Sequence, residues 1–143
     1  GMTSRYDGYK IYATALENGV TSSSYVEDVM ISEYYDENNF GAMPLIYIVL
    51  SKESKGIDIK DIIKNIIDNY ILSNNNMSFR DIPTKWKVVD ELPYTTALKK
   101  DYKKIKENGI DGSEISIVCH ETNMGLSYYD IVMPTKGKKL IKK

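Results

Sequence analysis

Cysteine, histidine and tryptophan each occur once in this 143-residue chain, as Cys119, His120 and Trp86. One cysteine excludes an internal disulfide and a multi-cysteine zinc site, and one histidine excludes a histidine-rich metal centre. Cys119 and His120 are neighbours, but adjacent residues of an extended segment point to opposite faces, so they do not make a thiol–imidazole pair. Charge of one sign is missing too. With 19 basic and 20 acidic residues the formal net charge is −1, which gives no global attraction to nucleic acid or to an anionic membrane. No apolar run reaches the roughly 18 residues that a membrane-spanning helix needs. The first residues lack the charged-then-apolar pattern of a secretory leader, and a cytoplasmic location is the expectation.

What remains is a length suited to one core without disulfides or a structural metal. Residues 8–12 read as a turn into a short strand, and 13–22 as a short helix that Gly19 stops. Residues 25–35 form a β-branched and aromatic run, a strand. Residues 43–51 are apolar on both faces, which predicts a central, doubly covered strand. Between Asp58 and Ile71, Ile59, Ile62, Ile63, Ile66, Ile67 and Tyr70 fall on one face of a 3.6-residue period. So many isoleucines are poor intrinsic helix formers, so this helix must be held by packing on a sheet. Pro83 leads into a strand at Lys85–Val89, with Trp86 directed to the core between Lys85 and Lys87. A polar helix over 100–107, closed by Gly109, carries Lys100, Lys103 and Lys104 on its exposed face. Strands at 114–119 and 126–133 around Gly125 make a hairpin, and residues 135–143 carry five lysines. The fold class read from this order is α+β: a small mixed sheet of about three central strands flanked by helices, plus a C-terminal β-hairpin extension.

Two segments carry chemistry. Leu92-Pro93-Tyr94-Thr95-Thr96-Ala97-Leu98-Lys99 resembles the Leu-Pro-x-Thr-x-x-Gly-Lys signature of the C-terminal lid domain of adenylate-forming acyl-CoA synthetases, the AMP-dependent synthetases and ligases. The strand before it, from Ile82-Pro83 through Trp86 to Asp90-Glu91, and Asp101-Tyr102 after it, fit the same pattern. Gly8-Tyr9-Lys10-Ile11, followed by Leu16-Glu17, resembles the family's Gly-aromatic-basic turn, and Val26-Glu27-Asp28-Val29 its valine–acid–valine strand. Several separated motifs in the right order are far less expected by chance than one. The resemblance spans roughly residues 2–106, and it divides the chain into a lid-like domain over 2–108 and a hairpin extension with a lysine-rich tail over 109–143. One departure is Leu98, where the family has a glycine that permits close approach or an unusual backbone angle.

The resemblance implies that Lys99 is the catalytic lysine of carboxylate adenylation. Gly8, Tyr9 and Lys10 would then face the pantetheine of CoA in the thioester-forming step. It implies ATP and CoA as substrates, with Mg²⁺ arriving on ATP, all held mainly by a much larger N-terminal adenylation domain of the same polypeptide. That domain would also select the carboxylic acid, and this chain alone would be inactive. Two alternatives stay open: the lid of an adenylation domain that loads a carrier protein, and a stand-alone relic or binding module without catalysis. Seen by itself, Lys99 is an ordinary surface lysine; only the Leu-Pro-x-Thr frame singles it out.

Overall fold

The computed structural model describes residues 2–4, 10–39 and 41–134. A short antiparallel pair, β1 (Met2–Ser4) and β2 (Lys10–Tyr12), precedes α1 (Ala13–Thr21). Strands β3 (Val26–Asp36) and β4 (Gly41–Leu50) then pair antiparallel, with Val29 opposite Ile48 and Ile31 opposite Ile46. Helix α2 (Ile59–Ile66), continued by a π-helical turn at Ile67–Ile71, carries the chain across to β5 (Lys85–Val88), which runs parallel to β4. After α3 (Tyr102–Asn108) come β6 (Glu114–Glu121) and β7 (Ser127–Val132). The resulting five-stranded mixed sheet has the order β3-β4-β5-β6-β7. Among the described residues no helix is long and apolar enough to cross a membrane.

The two faces of β4 explain this arrangement. Its alternate residues Ile46 and Ile48 face a core built with α1 and α2, whereas Leu45, Tyr47 and Val49 face a second, smaller core. In the first core Ile62, Ile63, Ile66, Ile67 and Ile71 are buried to within about 1 %. Full burial of one such side chain stabilises by about 1.5–3 kcal/mol, which offsets the weak helix propensity of isoleucine. Asp58 caps α2 by accepting from Lys60 N at 2.9 Å. At the far end Leu72 N donates to Ile67 O at 2.8 Å, the wider spacing of a π turn. That turn puts Ile71 fully in the core and leaves Tyr70 half-buried, where the 3.6-residue period had assigned Tyr70 to the apolar face.

One further expectation is corrected. Gly19 does not stop α1, which runs on to Thr21; a Cβ at Gly19 would lie 2.9 Å from Tyr70 O. The glycine is there so that α1 can lie against the π turn. The C-terminal hairpin covers the β5 edge of the sheet. It supplies two of the five strands, with Ile115 paired to Trp86, and Ile115 and Ile117 join the same core cluster as Ile46. A lone β5 edge would expose unpaired backbone groups and one side of Trp86. With β6 in place Trp86 is fully buried, and its Nε1 donates to Pro83 O at 2.8 Å. The second core is thinner. It is closed by α3, which contributes one buried residue, Ile105, at the side of Met30, Leu45 and Leu92.

Candidate functional site

The loop between β5 and α3 is built as a tight hairpin turn. Tyr94 and Lys100 form an antiparallel bridge, and Asp101 N donates to Pro93 O at 2.9 Å. Inside the bridge Thr95 N donates to Lys99 O at 2.8 Å, and Leu98 N to Thr95 O at 2.9 Å. The Thr95 hydroxyl accepts from Lys99 N at 3.3 Å. This is a three-residue loop whose last position is left-handed, the position that favours glycine. Leu98 fills it with φ +62°, the one non-glycine positive φ among the described residues, and its side chain is 84 % exposed. A leucine in this region costs about 1–2 kcal/mol. The leucine thus takes the left-handed angle that favours glycine and places an apolar side chain at the tip of the turn. Lys99 follows, exposed, and its ammonium has no partner among the described residues.

The same turn occurs at the tip of the β6–β7 hairpin. Thr122 N donates to Leu126 O at 2.8 Å, Gly125 N to Thr122 O at 2.9 Å, and Leu126 N to the Thr122 hydroxyl at 3.1 Å. Gly125 has φ +77°. The Thr-x-x-Gly spacing thus has a local physical meaning in this chain. The threonine closes the turn from one side, and the fourth residue supplies the left-handed angle.

Beneath the Lys99 turn lies a charge cluster that the sequence reading did not find. Glu17, on the buried stripe of α1, is 6 % exposed. One carboxylate oxygen, Oε2, accepts from Ile31 N at 2.8 Å on the outer edge of β3. The other, Oε1, accepts from Tyr102 OH at 2.6 Å and from Lys100 Nζ at 3.2 Å. Lys100 Nζ also lies 3.6 Å from Asp28 Oδ1, and Tyr94 OH donates to Asp28 Oδ2. The hydrogen bond to Asp28, followed by burial and the negative charges of Asp28 and Glu17, pushes the Tyr94 phenol up to about 12. Burial first, then the bond to Glu17 and the same charges, raises Tyr102 as well. Lys100 is therefore not on the exposed face of a following helix. It precedes α3, which starts at Tyr102, and points inward, while Lys103 and Lys104 are exposed as expected. A glutamate beside Leu16 and Val20 on the apolar face of α1 was the available signal.

Of the second predicted segment, Gly8 and Tyr9 lie outside the described residues. Lys10 is exposed at the start of β2, and no hydrogen bond or ion pair joins it to Lys99. Cys119 and His120 do not pair: Cys119 Sγ is 3.8 Å from Phe79 O, whereas His120 Nε2 is 2.9 Å from Asp130 Oδ2 and its ring stacks on Tyr128. Among the described residues no group of three or more His, Cys, Asp or Glu side chains could hold a metal ion.

No family model matches the chain, and no curated protein matches its sequence. Solved structures do match its fold. The o-succinylbenzoate CoA synthetase of Bacillus subtilis, in complex with an acyl-adenylate intermediate, superposes with a TM-score of 0.56 at 23 % identity. That match covers 73 % of this chain and 19 % of that one. An acyl-CoA synthetase of Brucella canis matches with a TM-score of 0.60 at 14 % identity over 76 % of this chain and 19 % of its own. The amide bond synthetase McbA of Marinactinospora thermotolerans matches with a TM-score of 0.59 at 16 % identity, over 74 % and 19 %. The chain thus has a fold found within acyl-CoA synthetases and related adenylate-forming enzymes, and it spans about one fifth of the length of the solved proteins it matches.

Proposed function

We propose that this chain is the mobile C-terminal domain of an ATP-dependent acid–CoA ligase, with Lys99 its catalytic lysine. The observation that carries the reading is the turn at 95–99: a Thr-x-x-Leu-Lys segment that has the left-handed angle typical of a glycine and exposes the lysine ammonium, which has no partner among the described residues. In adenylation a carboxylate oxygen bonds to the α-phosphorus of ATP, and pyrophosphate leaves with its bonding electrons. Negative charge crowds the reacting oxygens, and an ammonium delivered on a long side chain into a closed, water-poor site stabilises it. In the second half-reaction the thiol of CoA attacks the acyl carbon, its proton is lost, and AMP leaves with the electron pair of the broken bond. Gly8, Tyr9 and Lys10 would meet the CoA there. Mg²⁺, ATP and the acid would be held mainly by an N-terminal domain, which would also choose the acid.

Two features would support a non-catalytic relic, Leu98 and the added hairpin. Since the leucine adopts the backbone angle of a glycine, it does not favour that reading. The test is Lys99→Ala in the polypeptide that carries both domains. ATP–pyrophosphate exchange should fall by about 10²–10³ with the fold intact. An unchanged rate overturns the assignment. The 143-residue chain alone should show no exchange, and activity in it would equally contradict the proposal.

A further inference from the structure

Two adjacent lysines of the turn have different surroundings: Lys99 is exposed to solvent, whereas Lys100 reaches Glu17 and Asp28. From this we infer that Lys100 is the positioning residue of Lys99: its ion pairs pin the turn to α1 and β3 and so fix the direction in which the Lys99 ammonium is presented. The inference rests on the reading of Lys99 as the catalytic lysine.

Three observations carry it. First, beyond the turn's own hydrogen bonds and the Tyr94–Asp28 bond, few of its side chains fasten it to the domain. Leu98 is 84 % exposed, Tyr94 is 47 % exposed, and Lys99 has no partner among the described residues. Second, the cluster spans the elements on which the turn must be registered. Glu17 comes from α1, Asp28 from β3, Tyr94 from the near side of the turn, and Tyr102 from the first residue of α3. A charge held between two carboxylates, one of them buried, fixes its backbone far better than an exposed ion pair does. Third, the arrangement solves a selectivity problem. Two carboxylates lie under a turn that bears two consecutive lysines. If Lys99 were drawn to them, its charge would be neutralised by the protein and lost to a substrate. With Lys100 in their place, Tyr102 sharing Oε1 of Glu17, the Ile31 amide on its Oε2 and Tyr94 on Oδ2 of Asp28, the carboxylates are satisfied, and Lys99 has no partner among the described residues.

The test has two readouts. In the 143-residue chain, amide exchange at Thr95, Leu98 and Asp101 reports the turn, because each of these amides donates a hydrogen bond within or across it. Lys100→Met should speed exchange at these amides by about ten- to hundredfold, with Ile46 and Ile48 unchanged. Lys100→Arg should restore protection. Unchanged protection in the methionine variant, or no restoration by arginine, overturns the inference. If Lys100→Met loosens the whole domain, Tyr102→Phe removes one hydroxyl from the same cluster. Faster exchange confined to the turn then supports the inference, and no change overturns it. In the two-domain polypeptide Lys100→Met should lower kcat for adenylation while KM for ATP holds. Loss of turn protection with kcat unchanged also overturns the positioning role. Failure of the underlying reading is separate: it appears as normal adenylation in Lys99→Ala, whatever the exchange data show.

Discussion

The turns at 95–99 and 122–126 use the same three hydrogen bonds, a threonine in the same place and a left-handed fourth residue, yet one ends on leucine and the other on glycine. At the hairpin tip Gly125 has open space where a Cβ would stand, and Met124 and Leu126 on either side of it are exposed. At the other turn a strained leucine persists because Glu17, Asp28 and Lys100 anchor the backbone beneath it. Strain of this kind survives where the surroundings over-determine the conformation, and such places are often functional. The difference separates a turn that only reverses the chain from one that presents a side chain.

Substitutions in and under the two turns should separate them. The largest effect should be on chemistry. Lys99→Ala should lower adenylation by about 10²–10³, whereas Leu126→Ala, at the equivalent place of the other turn, should leave it unchanged. A similar loss in both variants would mean that the turns differ only in sequence. Next comes the anchor. Glu17→Gln leaves Lys100 and the Ile31 amide with a weaker partner and should cost about 2 kcal/mol in urea unfolding. Asp130→Asn, which breaks the exposed pair with His120, should cost less than about 1 kcal/mol. Equal losses would remove the distinction between an anchored and an unanchored turn. Smaller again is the backbone term. Leu98→Gly should stabilise by about 1 kcal/mol and Gly125→Leu should destabilise by about the same; a destabilising Leu98→Gly would show that the leucine side chain is itself held.

The smallest effect is in pH. The Tyr94 phenol is raised in the folded state from its ordinary 10.0 to about 12 by its bond to Asp28. A raised folded-state value means that the neutral form is favoured by folding. Its contribution is therefore complete below about pH 10 and is lost as pH rises through about 12. The stability advantage of the wild type over Tyr94→Phe should shrink across that interval, read by unfolding at a series of pH values. A constant difference would contradict the hydrogen bond.

The sequence made the sheet and α2 legible because β-branched runs and a 3.6-residue isoleucine stripe are local signals. It made the Lys99 turn legible through the Leu-Pro-x-Thr frame. It did not reveal the role of Gly19, because the atom it makes room for, Tyr70 O, belongs to a distant element. Nor did it reveal the π turn, whose wider spacing places Ile71 in the core in place of Tyr70. Lys100 was hidden for a different reason. It stands in a run with Lys99, Lys103 and Lys104, and its partner Glu17 is 83 residues away. Composition makes these lysines equivalent, and only tertiary structure turns one of them inward.

The central claim is that this chain works as one part of a larger adenylating polypeptide. The most direct measurement is the size of the native product, by immunoblotting a lysate of the source organism with antibody to this domain. A single band several times larger than 16.3 kDa is expected. A band at 16.3 kDa would contradict it.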